Sequence, residues 1–204
     1  YDLVFTDVTY IDYGSGKRAY LSPILDCAGE VISYAVSESQ DLSMISAMLD
    51  DIRKDTIHEG TLFHSDQGAL YMSDQFQERL KEMGLIQSMS RRGNCWDNAA
   101  MESFFGHLKD HCHFAGCATF QEIKKMIDDY IEYYNNERPQ WTRLKMTPAA
   151  YARYLKEMGE QEFKAYLAKE RKKYEQMITR SIERTDKHGE HLRSVISSLV
   201  EETR

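Results

Sequence analysis

Proline is scarce in this chain, three residues in 204, so few positions are closed to helix or strand interiors. No stretch approaches the ~18 uninterrupted apolar residues of a membrane-spanning helix. No cleavable signal is visible either, and a membrane is not an expected partner. The chain also lacks an initiator Met. It opens at Tyr1-Asp2-Leu3 in strand-like sequence and reads as a piece of a longer protein. Basic charge is short as well: 26 Lys and Arg against 33 Asp and Glu leave a net charge of −7. That excludes nucleic-acid binding by the whole surface, so any contact with a polyanion must be local.

Paired cysteines are missing too. Cys27, Cys95, Cys112 and Cys117 show none of the regular spacing of a disulfide framework and fit free thiols in a reducing cytosol. His111-Cys112-His113 with Cys117 matches no common zinc spacing and reads as packing residues. Composition is otherwise that of a globular chain, 42% hydrophobic and 29% charged, long enough for one well-buried domain and an appendage.

What is present is an α/β order. Leu3 to Tyr10 is rich in β-branched and aromatic residues and is expected as one strand, with Leu3, Phe5 and Asp7 on one face. Turns at Gly14-Ser15-Gly16 and Cys27-Ala28-Gly29-Glu30 separate it from strands at 18–25 and 31–36, an antiparallel meander. Leu42, Ile45, Leu49 and Ile52 fall at helical spacing, so 41–54 is expected as a helix. Residues 61–64 form a short strand with Asp66 directly after it. A helix capped by Ser73 and stopped by Gly84 follows, and then a fifth strand at 85–89. Further helices are expected over 119–135 and from Thr147-Pro148 to Gly159. This predicts a mixed five-stranded sheet flanked by helices. Residues 159–204 are charged and poor in large apolar groups, and are expected as a helical tail distinct from 1–158. The first part carries 16 Lys and Arg against 24 Asp and Glu, the tail 10 against 9.

The stretch Ser90 to Lys109 joins these parts. It begins as a basic, glycine-containing loop with Arg91 and Arg92, and a helix is expected to start at Asp97 as N-cap. Met101, Phe104, Phe105 and Leu108 make an apolar stripe at i, i+3, i+4 and i+7. Glu102 lies off that stripe and shares a face with Asn98, Gly106 and Lys109. Gly106 costs ~1 kcal/mol of helix stability relative to alanine and would let a phosphate backbone come close. Asp7, Asp66 and Glu102 come together if the first and fourth strands are neighbours. Three crowded carboxylates repel one another. A divalent ion with hard oxygen ligands, Mg²⁺ or Mn²⁺, removes the conflict.

Thirty-five residues separate Asp66 from Glu102, and Lys109 lies seven beyond the glutamate. Together with Thr6-Asp7, His64-Ser65-Asp66-Gln67-Gly68, Ser88 to Asn94, Asp97 to Phe105, Tyr134 to Pro139 and Thr147 to Tyr151, the chain resembles the DDE transposases of bacterial insertion sequences. Their catalytic core is of the retroviral-integrase type with an RNase H-like fold. The resemblance covers about residues 1–155. It implies that Asp7, Asp66 and Glu102 are catalytic and ligate two Mg²⁺ (or Mn²⁺) ions, and that the chain cleaves transposon-end DNA and joins it to target DNA. It further implies DNA contacts at Arg91, Arg92, Asn98 and Lys109, with Asn98 alternatively orienting the loop, and a homo-oligomer in a prokaryotic, nucleoid-associated setting. Trp96 stands where the family more often has Tyr. The helix-turn-helix region that normally precedes this core is not in the chain. His64 and His107 are expected as supporting residues, and Trp141 is undecided between core and surface. A nuclease that only hydrolyses and an inactive DNA-binding or oligomerising module stay open as alternatives.

Overall fold

The computed structural model describes residues 3–52, 56–90 and 98–159, with 162, 165, 169 and 172 beyond them. Two compact units divide the chain, Tyr1–Tyr154 and Leu155–Arg204. Nearly all of the expected helical tail lies outside the described residues, as do Arg91, Arg92, Trp96 and Asp97.

Among the described residues six strands form one sheet: β1 (Leu3–Thr6), β2 (Thr9–Tyr13), β3 (Lys17–Asp26), β4 (Val31–Ser37), β5 (Leu62–Ser65) and β6 (Ile86–Met89). The helices are α1 (Leu42–Asp50), α2 (Asp74–Glu82), α3 (Ala99–His111), α4 (Phe120–Asn136) and α5 (Pro148–Glu157). This is the expected mixed sheet of an RNase H-like α/β fold, with one correction. The single strand expected over Leu3 to Tyr10 is broken at Asp7 and Val8, which raises the strand count to six. Both pieces pair antiparallel with β3, and the register that sets Thr6 against Ile24 and Thr9 against Leu21 runs through unshifted. The break falls where that register meets Pro23, which has no N–H to donate. Thr6 Oγ1 donates instead to the Pro23 carbonyl at 2.9 Å.

β1 and β5 are parallel neighbours, pairing Val4 with Phe63 and Phe5 with His64. Continued at the same offset, that register sets Asp7 beside Asp66, just past the carboxyl ends of both strands. Open α/β sheets place their ligand sites at such ends.

Each sheet face carries its own core. Val4, Ile24 and Phe63 pack against Met44, Ile45, Met48 and Leu49 of α1 and against Phe76 and Leu80 of α2. Ile11, Leu21 and Leu25 pack against Met101, Phe104 and Leu108 of α3 and against Ile123, Ile127 and Tyr134 of α4. Alternation assigns Phe5 and Asp7 to this second face, the one α3 covers. Fully burying such a side chain stabilises the fold by about 1.5–3 kcal/mol, so the expected stripe of α3 is what seats it on the sheet.

The caps follow sequence. Asp41 accepts from Met44 N, Ser73 from Phe76 N, and Thr119 with Glu122 forms a capping box. α3 is the exception: it starts at Ala99, with Asn98 rather than Asp97 in the cap position and no side-chain cap bond. The Asn98 amide is directed elsewhere, as described below. Trp141 is 83% exposed, which settles its place as surface. Nearby, Arg143 Nε donates to the Ala28 carbonyl, and its guanidinium occupies the space a Cβ on Gly29 would need.

Among the described residues no helix is long and apolar enough to cross a membrane.

Candidate active site

Asp7 sits where the ladder breaks. Its Oδ1 accepts the N–H of Val8 at 2.7 Å, and Asn98 Nδ2 approaches its Oδ2 at 3.3 Å and the Thr6 carbonyl at 3.5 Å. The Asp7 carboxyl is raised from its usual 3.8 to about 6. Burial is the largest cause. The Val8 hydrogen bond works in the opposite direction, and the charges of Asp66 and Glu102 add to the rise. The three acids therefore share one electrostatic neighbourhood, although they are far apart in the chain.

Asp66 is held by its own turn. Gly68 N donates to Asp66 Oδ1 at 2.8 Å, an Asx turn. A Cβ at Gly68 would lie 2.8 Å from that same oxygen, so glycine is what allows the carboxylate to fold back. Next to it, His64 is gripped by Ser88 Oγ at Nδ1 and by Ser90 Oγ at Nε2, both at 3.0 Å, and meets Phe5 edge-on. Gln67 Nε2 donates to the Ser90 carbonyl, and Ser90 N to the Ser65 carbonyl. These bonds tie the carboxyl end of β5 to the point where the loop after β6 departs. The supporting role expected for His64 fits this grip, but the two serines were not singled out from sequence. Their hydroxyls carry no pattern, and only the parallel β5–β6 register brings them to the ring.

Glu102 is exposed on α3 while Met101, Phe104, Phe105 and Leu108 are buried. Asn98 is 6% exposed, placed to steady Asp7 beneath the surface. A Cβ on Gly106 would meet nothing within 4 Å. His107 is exposed, its basicity lowered by partial burial and then by Arg138. Lys109 is also exposed, with Nζ 5.4 Å from the ring centre of Tyr10.

Among the described residues no group of three or more His, Cys, Asp or Glu is close enough to hold a metal ion. Asp7, Asp66 and Glu102 thus share a field without forming a closed ligand set. Mutual repulsion of carboxylates acts in that direction whenever no cation stands between them. The donor chemistry suits a hard divalent ion: three carboxylates, and the buried Oδ1 of Asn98, which has no partner among the described residues. At the other end of α3 a cavity of about 630 Å³ is lined by His111, Cys112, Cys117, Tyr130 and Tyr133 among others. Burial, and then Cys117, push the Cys112 thiol up to about 11, so it stays protonated at neutral pH. Cys112 and Cys117 are both buried free thiols of the core beneath α3.

Two models described as integrase core domain match, one over residues 1–95 and one over 83–148. A transposase-like protein of Haemophilus influenzae is 40% identical over 148 residues, covering 72% of this chain and 68% of the relative. The chain belongs to the retroviral-integrase-like, DDE transposase superfamily. Another member, named as the transposase InsK of insertion sequence IS150 in Escherichia coli, is 44% identical over 149 residues. The match takes in 72% of this chain and 52% of that relative, so the chain spans about half its length. The fold extends to viral members: the HTLV-2 integrase catalytic core, solved in complex with magnesium, aligns at a TM-score of 0.57 with 18% identity. That alignment covers 73% of this DDE superfamily member and 94% of the viral domain.

Proposed function

We propose that this chain is the catalytic core of an insertion-sequence transposase, performing metal-dependent DNA end cleavage and strand transfer. The observation that carries the reading is geometric: Asp7 and Asp66 lie side by side just past the carboxyl ends of the paired strands β1 and β5, and Asn98, at the head of the helix that carries Glu102, reaches Asp7 Oδ2 at 3.3 Å. Asp7, Asp66 and Glu102 would hold two Mg²⁺ or Mn²⁺ ions. Bound there, such ions would supply Lewis-acid activation and charge neutralisation for a phosphodiester displacement.

The chain's own residues do the rest. Asn98 keeps Asp7 aimed, Gly68 keeps Asp66 folded back, and the His64–Ser88–Ser90 grip fixes the strand ends beneath them. Lys109, Arg91 and Arg92 neutralise DNA phosphates, contacts that carry affinity but no sequence information. Water attacks one phosphodiester, its oxygen bonding to phosphorus as the bond to the 3′ oxygen breaks, which leaves a free 3′-hydroxyl and a 5′-phosphate. That hydroxyl then attacks a second phosphodiester, one P–O bond forming as another breaks. No side chain is joined covalently to DNA. Residues 1–158 would make up this core and 159–204 a charged helical tail. Partners would be transposon-end DNA, target DNA and further copies of the chain.

The test is a joining assay with a labelled duplex carrying the element end. Mg²⁺-dependent joined products that fall by at least about 10³-fold in Glu102→Gln support the reading, since the ions are asked for several kcal/mol of transition-state stabilisation. Nicking without joining points to the hydrolysing nuclease, and binding without either points to the inactive module.

Gly106 offers an independent check on where DNA runs. Gly106→Ala adds a methyl to open space, so the free protein should gain about 1 kcal/mol and melt a few degrees higher. DNA binding by fluorescence anisotropy should weaken, because the strand can no longer approach the helix backbone. A variant that is more stable and binds DNA as before would place the strand away from this face.

A further inference from the structure

Tyr10 is half exposed on β2, a strand that among the described residues pairs with β3 alone. Two cations converge on its ring. Arg18 reaches it from β3, with Cζ 4.2 Å from the ring centre, and Lys109 reaches it from α3, across the sheet edge, at 5.4 Å. Arg18 also pairs with Asp12 at 2.8 Å, both side chains being about half exposed or more. An exposed pair of this kind holds little energy, so the guanidinium is free to exchange partners. A ring that is half exposed with two cations near it is open to a ligand. The ring is turned to solvent while Thr9, Ile11 and Tyr13 on either side are buried.

Its position relative to the acids gives the cluster a direction. Tyr10 lies three residues past Asp7, about 10 Å along the strand. Lys109 lies seven residues past Glu102, again about 10 Å along the helix. Strand and helix therefore lead from the acids to the same ring over the length of roughly three stacked nucleotides, although alternation points Tyr10 to the sheet face opposite Asp7 and Lys109 reaches the ring from the helix on the other side. Stacking platforms flanked by cations are how proteins hold single strands without reading sequence.

We propose that Tyr10, with Arg18 and Lys109, forms a binding subsite for the DNA strand next to the reacting phosphate. A base two or three nucleotides away stacks on the Tyr10 ring, and the flanking phosphates meet the two cations. This rests on the reading of the acids as the reaction centre. It assigns Tyr10 and Arg18 as positioning residues, with no part in the chemistry.

The experiment uses the 204-residue chain and a duplex with a single-stranded 3′ end carrying 5-iodo-deoxyuridine at successive positions. Irradiation should yield one dominant crosslink, to the peptide containing Tyr10, from a position two or three nucleotides from the reacting end. Tyr10→Ala should weaken DNA binding about 5- to 150-fold, the range of a lost base–aromatic stack, and Tyr10→Phe should restore it. Arg18→Ala should weaken binding and flatten its salt dependence. Circular dichroism on each variant checks the fold, which an exposed ring is not expected to disturb. If Tyr10→Ala binds like the wild type and no position crosslinks to its peptide, the subsite does not exist. Loss of joining in Glu102→Gln would then still uphold the reaction centre. If the wild-type chain crosslinks through Tyr10 yet never cleaves or joins, the catalytic reading fails and the strand-binding subsite stands.

Discussion

Asp7→Asn is expected to change activity and stability in opposite directions. Joining should fall by at least about 10³-fold, since an amide cannot supply the negative charge that would hold the ions. Without metal, the folded protein should become more stable at neutral pH. The Asp7 carboxyl is raised to about 6, chiefly by burial and further by Asp66 and Glu102. Below pH about 4 it is protonated in folded and unfolded chains alike and contributes nothing to the balance. Between about 4 and 6 the unfolded chain loses its proton first, so stability falls as pH rises. Above about 6 the cost is complete. A shift of this size corresponds to about 3 kcal/mol, and partial exposure reduces it to about 1–3 kcal/mol. Asparagine removes that cost and keeps the neighbouring shape. Melting in chelator at pH 7.5 should therefore rise by about 2–10 °C, with the difference vanishing near pH 4. A variant less stable than the wild type at both pH values would show that Asp7 is a structural carboxylate held by its bonds to Val8 and Asn98.

The largest effect on stability belongs to the helix that carries Glu102. Phe104 is 1% exposed and meets Tyr134 edge to face, centroids 5.0 Å apart at 84°, with Phe105 and Tyr130 also against it. Phe104→Ala removes the ring from the centre of a closed aromatic group and should cost about 3–5 kcal/mol. Urea denaturation should show the midpoint falling with an unchanged slope. Phe105, at 9% exposure on the rim of that group, should cost less when truncated. Equal costs at the two positions would mean that α3 is held by something other than this contact.

Reading the sequence reached far into this fold because its local signals agree. Alternation placed Asp7 with Leu3 and Phe5, and the apolar stripe of α3 turned Glu102 outward. The cap at Ser73 marked a helix start that the structure keeps, and apolar spacing found the helices that begin after 41 and 119. What escaped depended on residues distant in the chain. The break at Asp7 is set by Pro23 across the sheet, and nothing near Asp7 announces it. Asn98 replaces Asp97 at the head of α3, its amide turned to β1, a choice no cap preference could rank. The serines on His64 and the cations on Tyr10 are joined only by strand register and by the packing of α3 on the sheet. The basic pair Arg91 and Arg92 lies outside the described residues, so its expected phosphate contacts rest on the sequence.

Crystals of the chain bound to a 3′-ended DNA duplex and grown in Mn²⁺ would locate the ions through their anomalous scattering. The account expects peaks among Asp7, Asp66 and Glu102, with carboxylate oxygens at about 2.1 Å, the acids having closed around them. Ordered DNA with Glu102 standing away from every ion, or no peak beside Asp7 and Asp66, would contradict it.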